Sequence, residues 1–264
     1  MPPILLNIYG PIAIHSFGVM IALGVIIMLC LLHRDAKLAK LVSHDQLTTI
    51  FQIGFVAGII GGRVWFLMTS WSTIDHWTDS FMVWSGGLSI LGAIIGCISA
   101  LTIYFATNNI NQLKVLDRIA LYAPLLQSIS RLGCFFAGCC FGQVTNLPWA
   151  IIYTNPDSLA PLCTQLHPTQ IYSCLFLAFC FIVLLCFDKF YPRQKPGQIL
   201  YLYIMLISLE RFFIDFLRGD REFFEHLTIF ENVSIQQALA LCMFAGAFVM
   251  MIFISIYKKT DESI

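Results

Sequence analysis

Three arginines stand inside otherwise apolar stretches of this chain: Arg63, Arg131 and Arg211. A guanidinium at membrane depth costs roughly 2.5 to 3.5 kcal/mol on insertion scales, so it usually lines a cavity and holds something anionic. Arg131 opens the run Arg131-Leu132-Gly133-Cys134-Phe135-Phe136-Ala137-Gly138-Cys139-Cys140-Phe141-Gly142 and is read as the anchor for a phosphate. The alternative is a neighbouring carboxylate that pairs with it to brace helices. Arg211, Asp215 and Arg218 follow one another at i, i+4 and i+7, so on one continuous helix they share a face and the carboxylate can orient both cations. An internal salt-bridge ladder is the plainer alternative. Beside Arg63, Gly58, Gly61 and Gly62 strip side chains from the surface, which serves close helix packing and would also let a head group approach the backbone.

His167-Pro168-Thr169-Gln170-Ile171-Tyr172 opens another apolar run. Proline suits a first helical turn, which puts His167 at a helix N-terminus as a candidate base, with a capping or interfacial role as the alternative. Pro124 predicts a kink about two turns below Arg131. Of the ten cysteines, Cys30, Cys97, Cys174, Cys180, Cys186 and Cys242 sit in apolar runs and read as small buried residues. Cys134, Cys139, Cys140 and Cys163 match no common zinc spacing, so no metal is expected; a disulfide from Cys163 to Cys139 or Cys140 stays open.

The elements that must position these residues follow from composition. With 58% hydrophobic and 11% charged residues and a mean hydropathy of +0.80, the chain cannot fold as a soluble domain without exposing large apolar patches. An all-α polytopic membrane protein is expected. The balance of 15 basic against 15 acidic residues offers nothing to nucleic acid. Apolar runs of about 20 residues predict seven spans, at about 12–32, 47–69, 88–106, 117–140, 168–187, 198–217 and 235–257, within one integral-membrane domain over residues 1–264. Outer connections are expected at 70–87, 142–167 and 218–234.

The charges orient this array. Arg34, Lys37 and Lys40 follow the first run; Lys114 and Arg118 flank the start of the fourth; Lys189, Arg193 and Lys195 follow the fifth; Lys258 and Lys259 end the chain. The alternate connections at 70–87 and 142–167 hold no lysine or arginine, and only Arg218 and Arg221 interrupt the pattern. The amino terminus is therefore expected outside and the carboxyl terminus in the cytoplasm. Trp65, Trp71, Trp77 and Trp84 gather around the second connection, where interfacial aromatics anchor. Counted from the cytoplasmic ends of their spans, Arg63, Arg131 and Arg211 all rise roughly 20 to 24 Å at 1.5 Å per residue. One polar cavity facing the outer leaflet is the economical explanation.

Taken together, these motifs resemble the bacterial prolipoprotein diacylglyceryl transferases. The likeness runs through His15-Ser16-Phe17-Gly18, Gly61-Gly62-Arg63, Gly86-Gly87-Leu88-Ser89, the Arg131 to Gly142 segment, His167 to Tyr172 and Glu210-Arg211-Phe212-Phe213-Ile214-Asp215-Phe216-Leu217-Arg218. It implies a bacterial inner-membrane enzyme that moves the diacylglyceryl group of phosphatidylglycerol onto the lipobox cysteine thiol of a prolipoprotein, releasing glycerol phosphate. No cofactor is implied. Arg131 falls on the arginine that holds the phosphatidylglycerol head group in the family, Arg211 on its other essential arginine, and Asp215 where glutamate is common. Arg63, Gly62, Gly133, Gly138, Arg218, Gln170 and Tyr172 are expected to line the substrate site, with His167 or Asp215 taking the thiol proton unless the thiolate arrives already formed. The chain departs from the pattern at Leu91, where many members have the histidine proposed as base, and at Phe17 and Ile207, where tyrosine is common. Two alternatives stand beside this: a degenerate paralogue that binds lipid or prolipoprotein without turnover, and an anion transporter. Against the transporter, no paired Gly- or Pro-broken spans occur in matching halves of the chain.

Overall fold

The computed structural model describes residues 3–9, 12–70, 87–191, 194–221 and 233–257. The expectations placed on Trp71, Trp77, Trp84, Gly86, Arg193, Lys258 and Lys259 lie outside these residues. Seven α-helices carry the chain: α1 (Ser16–His33), α2 (His44–Thr69), α3 (Ile90–Thr107), α4 (Gln112–Ala137), α5 (Thr169–Phe190), α6 (Gln198–Asp215) and α7 (Ile235–Tyr257). Six have the length and composition to cross a membrane; α6 is the exception, since it carries Glu210, Arg211 and Asp215. Large apolar side chains such as Phe55, Ile90, Phe179 and Val249 stand exposed on the helix surfaces, the arrangement that lipid favours and water penalises. The protein is an all-α, multi-pass membrane protein. It divides into two compact units, Met1–Arg34 with Leu116–Ile264, and Asp35–Val115.

In the first unit, strands β1 (Ile4–Tyr9) and β2 (Ile12–His15) form an antiparallel hairpin ahead of α1. The first helix therefore begins at Ser16 rather than near residue 12. Residues 12–15 take their backbone bonds from the hairpin, and the Ser16 amide and hydroxyl both bond the Pro3 carbonyl, at 2.9 and 2.8 Å. Helix α4 continues through a buried Pro124 and ends at Ala137, short of the expected residue 140. Gly138 there takes a left-handed φ of +76°, and its amide bonds the Cys134 carbonyl at 2.9 Å, the usual way for glycine to close a helix. Gly197 opens α6 with no capping side chain of its own. Asp117 of α4 supplies the cap, accepting from the Gly197 and Leu200 amides at 2.7 and 2.8 Å. Next to it, Arg118, expected as an orientation charge, is buried in an ion pair with Asp188 of α5 at 2.7 Å. Leu121, Leu184 and Ile199 close the core between these three helices.

In the second unit, Ser43 and Gln46 form a reciprocal capping box at the start of α2. Helices α2 and α3 then pack backbone to backbone. A Cβ added at Gly61 would run into the Gly92 carbonyl, one at Gly92 into the Gly61 carbonyl, and one at Gly96 would lie 2.6 Å from the Ala57 carbonyl. Small residues are what permit this approach in a membrane, where packing rather than the hydrophobic effect holds helices together.

Candidate active site

The segment after α4 forms the floor of the site in the first unit. Residues 141–144 lie between two other stretches: Gly142 bridges Arg218 on one side, and Val144 bridges Leu166 on the other. The Gly142 amide bonds the His167 carbonyl at 3.2 Å, the His167 amide bonds the Gln143 carbonyl at 3.0 Å, and the Gln143 amide bonds the Leu217 carbonyl at 2.8 Å. Gly142 must be glycine here, since a Cβ would sit 2.5 Å from the Cβ of His167. The start of α5 locks the same loop: Thr169 Oγ1 donates to the Cys140 carbonyl and Gln170 Nε2 to the Cys139 carbonyl, both at 2.8 Å. Tyr153, from the connection before α5, donates to the Phe135 carbonyl at 3.0 Å. Burial pushes its hydroxyl up to about 12, so it stays a donor at any ordinary pH.

Arg131 and Arg218 both lie within electrostatic range of Arg211. Arg211 experiences the positive charges of Arg218 and Arg131 and the negative charges of Asp215 and Glu210. Among the described residues, Arg131 is half-buried and has no hydrogen-bond or ion-pair partner. Arg211 is paired with Asp215 at 3.8 Å. The expected shared face of Arg211, Asp215 and Arg218 is not what forms. Helix α6 stops at Asp215, the amides of Leu217 and Arg218 turn back onto Ile214 and Asp215, and Arg218 leaves the helix to pair with Gly142 and to grip Asp220 through two bonds of 2.7 and 2.6 Å. Burial works most strongly against the Arg218 charge, but the Asp220 bonds, together with the Asp220 charge and Cys140, hold its pKa above the ordinary guanidinium value. The second cation on Asp215 is Arg221, at 3.3 Å.

Asp215 is only 1% exposed and fully engaged. Besides the two guanidiniums it accepts the Ser234 hydroxyl at 2.5 Å. Ser234 and Gln237 form the reciprocal cap of α7, and Gln237 Oε1 also accepts from Arg221 at 3.0 Å. Sequence reading missed Arg221, Ser234 and Gln237 as parts of the site, although Ser-x-x-Gln ahead of an apolar run is a recognisable capping signal. It also passed over Glu210, which is 4% exposed. Glu210 Oε1, His167 Nδ1 and Gln170 Oε1 are buried acceptors without a hydrogen-bond partner among the described residues.

The remaining expected site residues each contact neighbouring backbone or side chains. Gly133 faces Phe17 and Met20 of α1, with room for a Cβ only 3.0 Å from the Phe17 Cα. Gly138 makes the turn already described, its missing side chain filled by Ser158. Tyr172 accepts from Trp149 Nε1 at 2.6 Å and packs edge-on to His167. In the second unit, Gly62 lies against the Ser89 carbonyl, while Arg63 donates to the Gly87 carbonyl at 2.9 Å and stacks over Phe66. All ten cysteines are free thiols; Cys163 is exposed, and Cys134, Cys139 and Cys140 lie beside one another.

A family profile described as prolipoprotein diacylglyceryl transferase matches residues 3–253. The chain belongs to the prolipoprotein diacylglyceryl transferase family. It is 33% identical over 220 residues to a phosphatidylglycerol–prolipoprotein diacylglyceryl transferase of Clostridium tetani, covering 83% of this chain and 86% of that one. The protein of that name from Clostridioides difficile is 34% identical, with 83% and 84% covered, and one from Dehalococcoides mccartyi is 31% identical, with 96% and 94% covered. Against this family background, the departures sit at distinct places. Leu91 is 52% exposed in the first turn of α3 and Phe17 39% exposed in that of α1; Ile207 lies one turn before Arg211 in α6.

Proposed function

We propose that this protein transfers the diacylglyceryl group of phosphatidylglycerol to the lipobox cysteine of a prolipoprotein, forming a thioether and releasing glycerol phosphate. The observation that carries the reading is Arg131: a half-buried guanidinium with no carboxylate of its own among the described residues, within electrostatic range of Arg211, which Asp215 holds in place. Such a pair suits a phosphodiester, because preorganised cations in a site of low dielectric stabilise charge that develops on a leaving group. The substrate sulfur attacks the terminal glyceryl carbon, the carbon–oxygen bond breaks, and its electron pair leaves on the phosphate that Arg131 and Arg211 hold.

The thiol must lose its proton, and Leu91 offers no acceptor. His167 Nδ1 is unpartnered and sits one strand from Gly142, itself bridged to Arg218; we assign the proton to it. Asp215 is committed to Arg211, Arg221 and Ser234, which favours a positioning role for it over that of base. The site faces the outer leaflet of the bacterial cytoplasmic membrane, with the amino terminus outside and the carboxyl terminus inside. Its partners are phosphatidylglycerol and the signal-peptide and lipobox segment of the precursor; nucleic acid is not among them.

The test is conversion of a lipobox peptide by membranes containing the protein and phosphatidylglycerol. A thioether product that disappears with Arg131→Ala supports the reading. Leu91 favours one second reading, a relative that binds phospholipid without turnover. Retained phosphatidylglycerol binding with no product, where an active family member gives product, would select it.

A further inference from the structure

The transfer brings its nucleophilic sulfur on the substrate, so three of this chain's own thiols are left without a part in it. Cys134 lies in the last turn of α4, and Cys139 and Cys140 follow the glycine that ends the helix; their three sulfurs all lie within 4.8 Å of one another. The convergence is built by the backbone. Gly138 and Cys140 both take left-handed φ values, +76° and +57°, and a cysteine adopts that conformation only when its surroundings impose it. Here Thr169 and Gln170, each 1% exposed, hold the carbonyls of Cys140 and Cys139, which leaves the two thiols turned toward Cys134.

We propose that Cys134, Cys139 and Cys140 form a three-thiolate site for a thiophilic closed-shell metal cation. Three sulfurs about 2.3 Å from such an ion stand roughly 3.8 to 4.0 Å apart, so side-chain rotations of less than about 1 Å complete the geometry from the distances seen. Thiolate ligands select soft cations over magnesium or calcium. Three thiolates around a monovalent or divalent ion leave a net negative charge, and two cations are at hand to balance it: Arg131 and Arg218 both act electrostatically on Cys140. Binding releases the thiol protons to solvent and ties α4 to the loop that carries Gly142. Three ligands leave a fourth position open to water or another donor, whereas structural sites close all four. The site shares Arg131 with the proposed transfer, but its three ligands take no part in that reaction and metal binding is read out without it.

The full-length protein in detergent, reduced and stripped of metal under anaerobic conditions, is titrated with cadmium alone and followed by sulfur-to-cadmium charge-transfer absorption. One equivalent per chain is expected, with absorption matching three thiolates, and the same cadmium titration displaces zinc bound beforehand, since the softer ion holds thiolates more tightly. Cys134→Ser, Cys139→Ser and Cys140→Ser each weaken binding at least tenfold, while Cys163→Ser does not. In the unmodified protein, zinc protects Cys139 and Cys140 from alkylation and leaves the exposed Cys163 reactive, a readout that needs no variant to fold. The proposal falls if titration shows no saturable site, if zinc leaves the alkylation of Cys139 and Cys140 unchanged, or if mass spectrometry finds two of the three joined in a disulfide that persists under these reducing conditions.

Discussion

At the scale of single residues, the site depends on guanidiniums whose geometry differs from that of an ammonium. An arginine can present a planar fork to two phosphate oxygens, the role proposed for Arg131, whereas lysine offers a point charge on a flexible stem. Arg131→Ala is expected to lower peptide conversion by about 100-fold or more, the usual cost of removing a donor to a developing oxyanion, and Arg131→Lys to restore only part of it. His167→Asn keeps a hydrogen-bonding side chain but removes the basic nitrogen that can take a proton; it should lower turnover by about 10²- to 10⁴-fold, the range for a general base, with phosphatidylglycerol binding retained. Unchanged turnover in that variant would move the proton elsewhere, with the buried Glu210 next in line. Arg131 and Arg211 could be read from sequence because a charge in an apolar run stands out at once. Arg221, Ser234 and Gln237 could not, because what makes them part of the site is a carboxylate reached through tertiary folding rather than a spacing along the chain. The three thiols were hidden for a related reason: positions i, i+5 and i+6 converge only because the chain turns left-handed at Gly138 and at Cys140 itself.

At the scale of elements, local chemistry decided most boundaries and tertiary bonding decided the rest. The start of α2 was legible because Ser43 and Gln46 cap it within four residues. The ends of α1 and α6 were not: the apolar lead-in to α1 is drawn into a hairpin, and α6 stops at Asp215 because Arg218 bonds the loop at Gly142, with no glycine or proline at the break to announce it. The helix pair of the second unit gives the sharpest structural prediction. Since a Cβ at Gly92 meets the Gly61 carbonyl and the Trp65 side chain, Gly92→Val must part α2 from α3, and overpacking of this kind costs about 1 to 3 kcal/mol. A lower melting temperature in detergent is expected for Gly92→Val, while Gly58→Ala, with open space around it, should melt as the parent does. Equal melting of Gly92→Val and the parent would mean the close approach of the two backbones is not a source of stability.

At the scale of the whole molecule, the chemistry demands a topology. A precursor presents its lipobox cysteine as it leaves the cytoplasm, so the Arg131 site must open to the outer side, and the distribution of lysine and arginine asks for the same orientation on independent grounds. The proposed topology therefore has the connection between α4 and α5 outside and the one between α1 and α2 inside. Cys163, exposed in the former, should react with a membrane-impermeant maleimide in intact cells. A cysteine introduced by Lys40→Cys, at an exposed position in the latter, should react only after the membrane is opened. Cys30 and Cys186, though exposed, lie within helices that lipid surrounds, and the reagent, which needs water to form the thiolate, should reach neither from outside. The reversed pattern, with Lys40→Cys labelled in intact cells and Cys163 protected, would put Arg131 on the cytoplasmic side. There it would face precursors before export, and the transfer reading would lose its substrate.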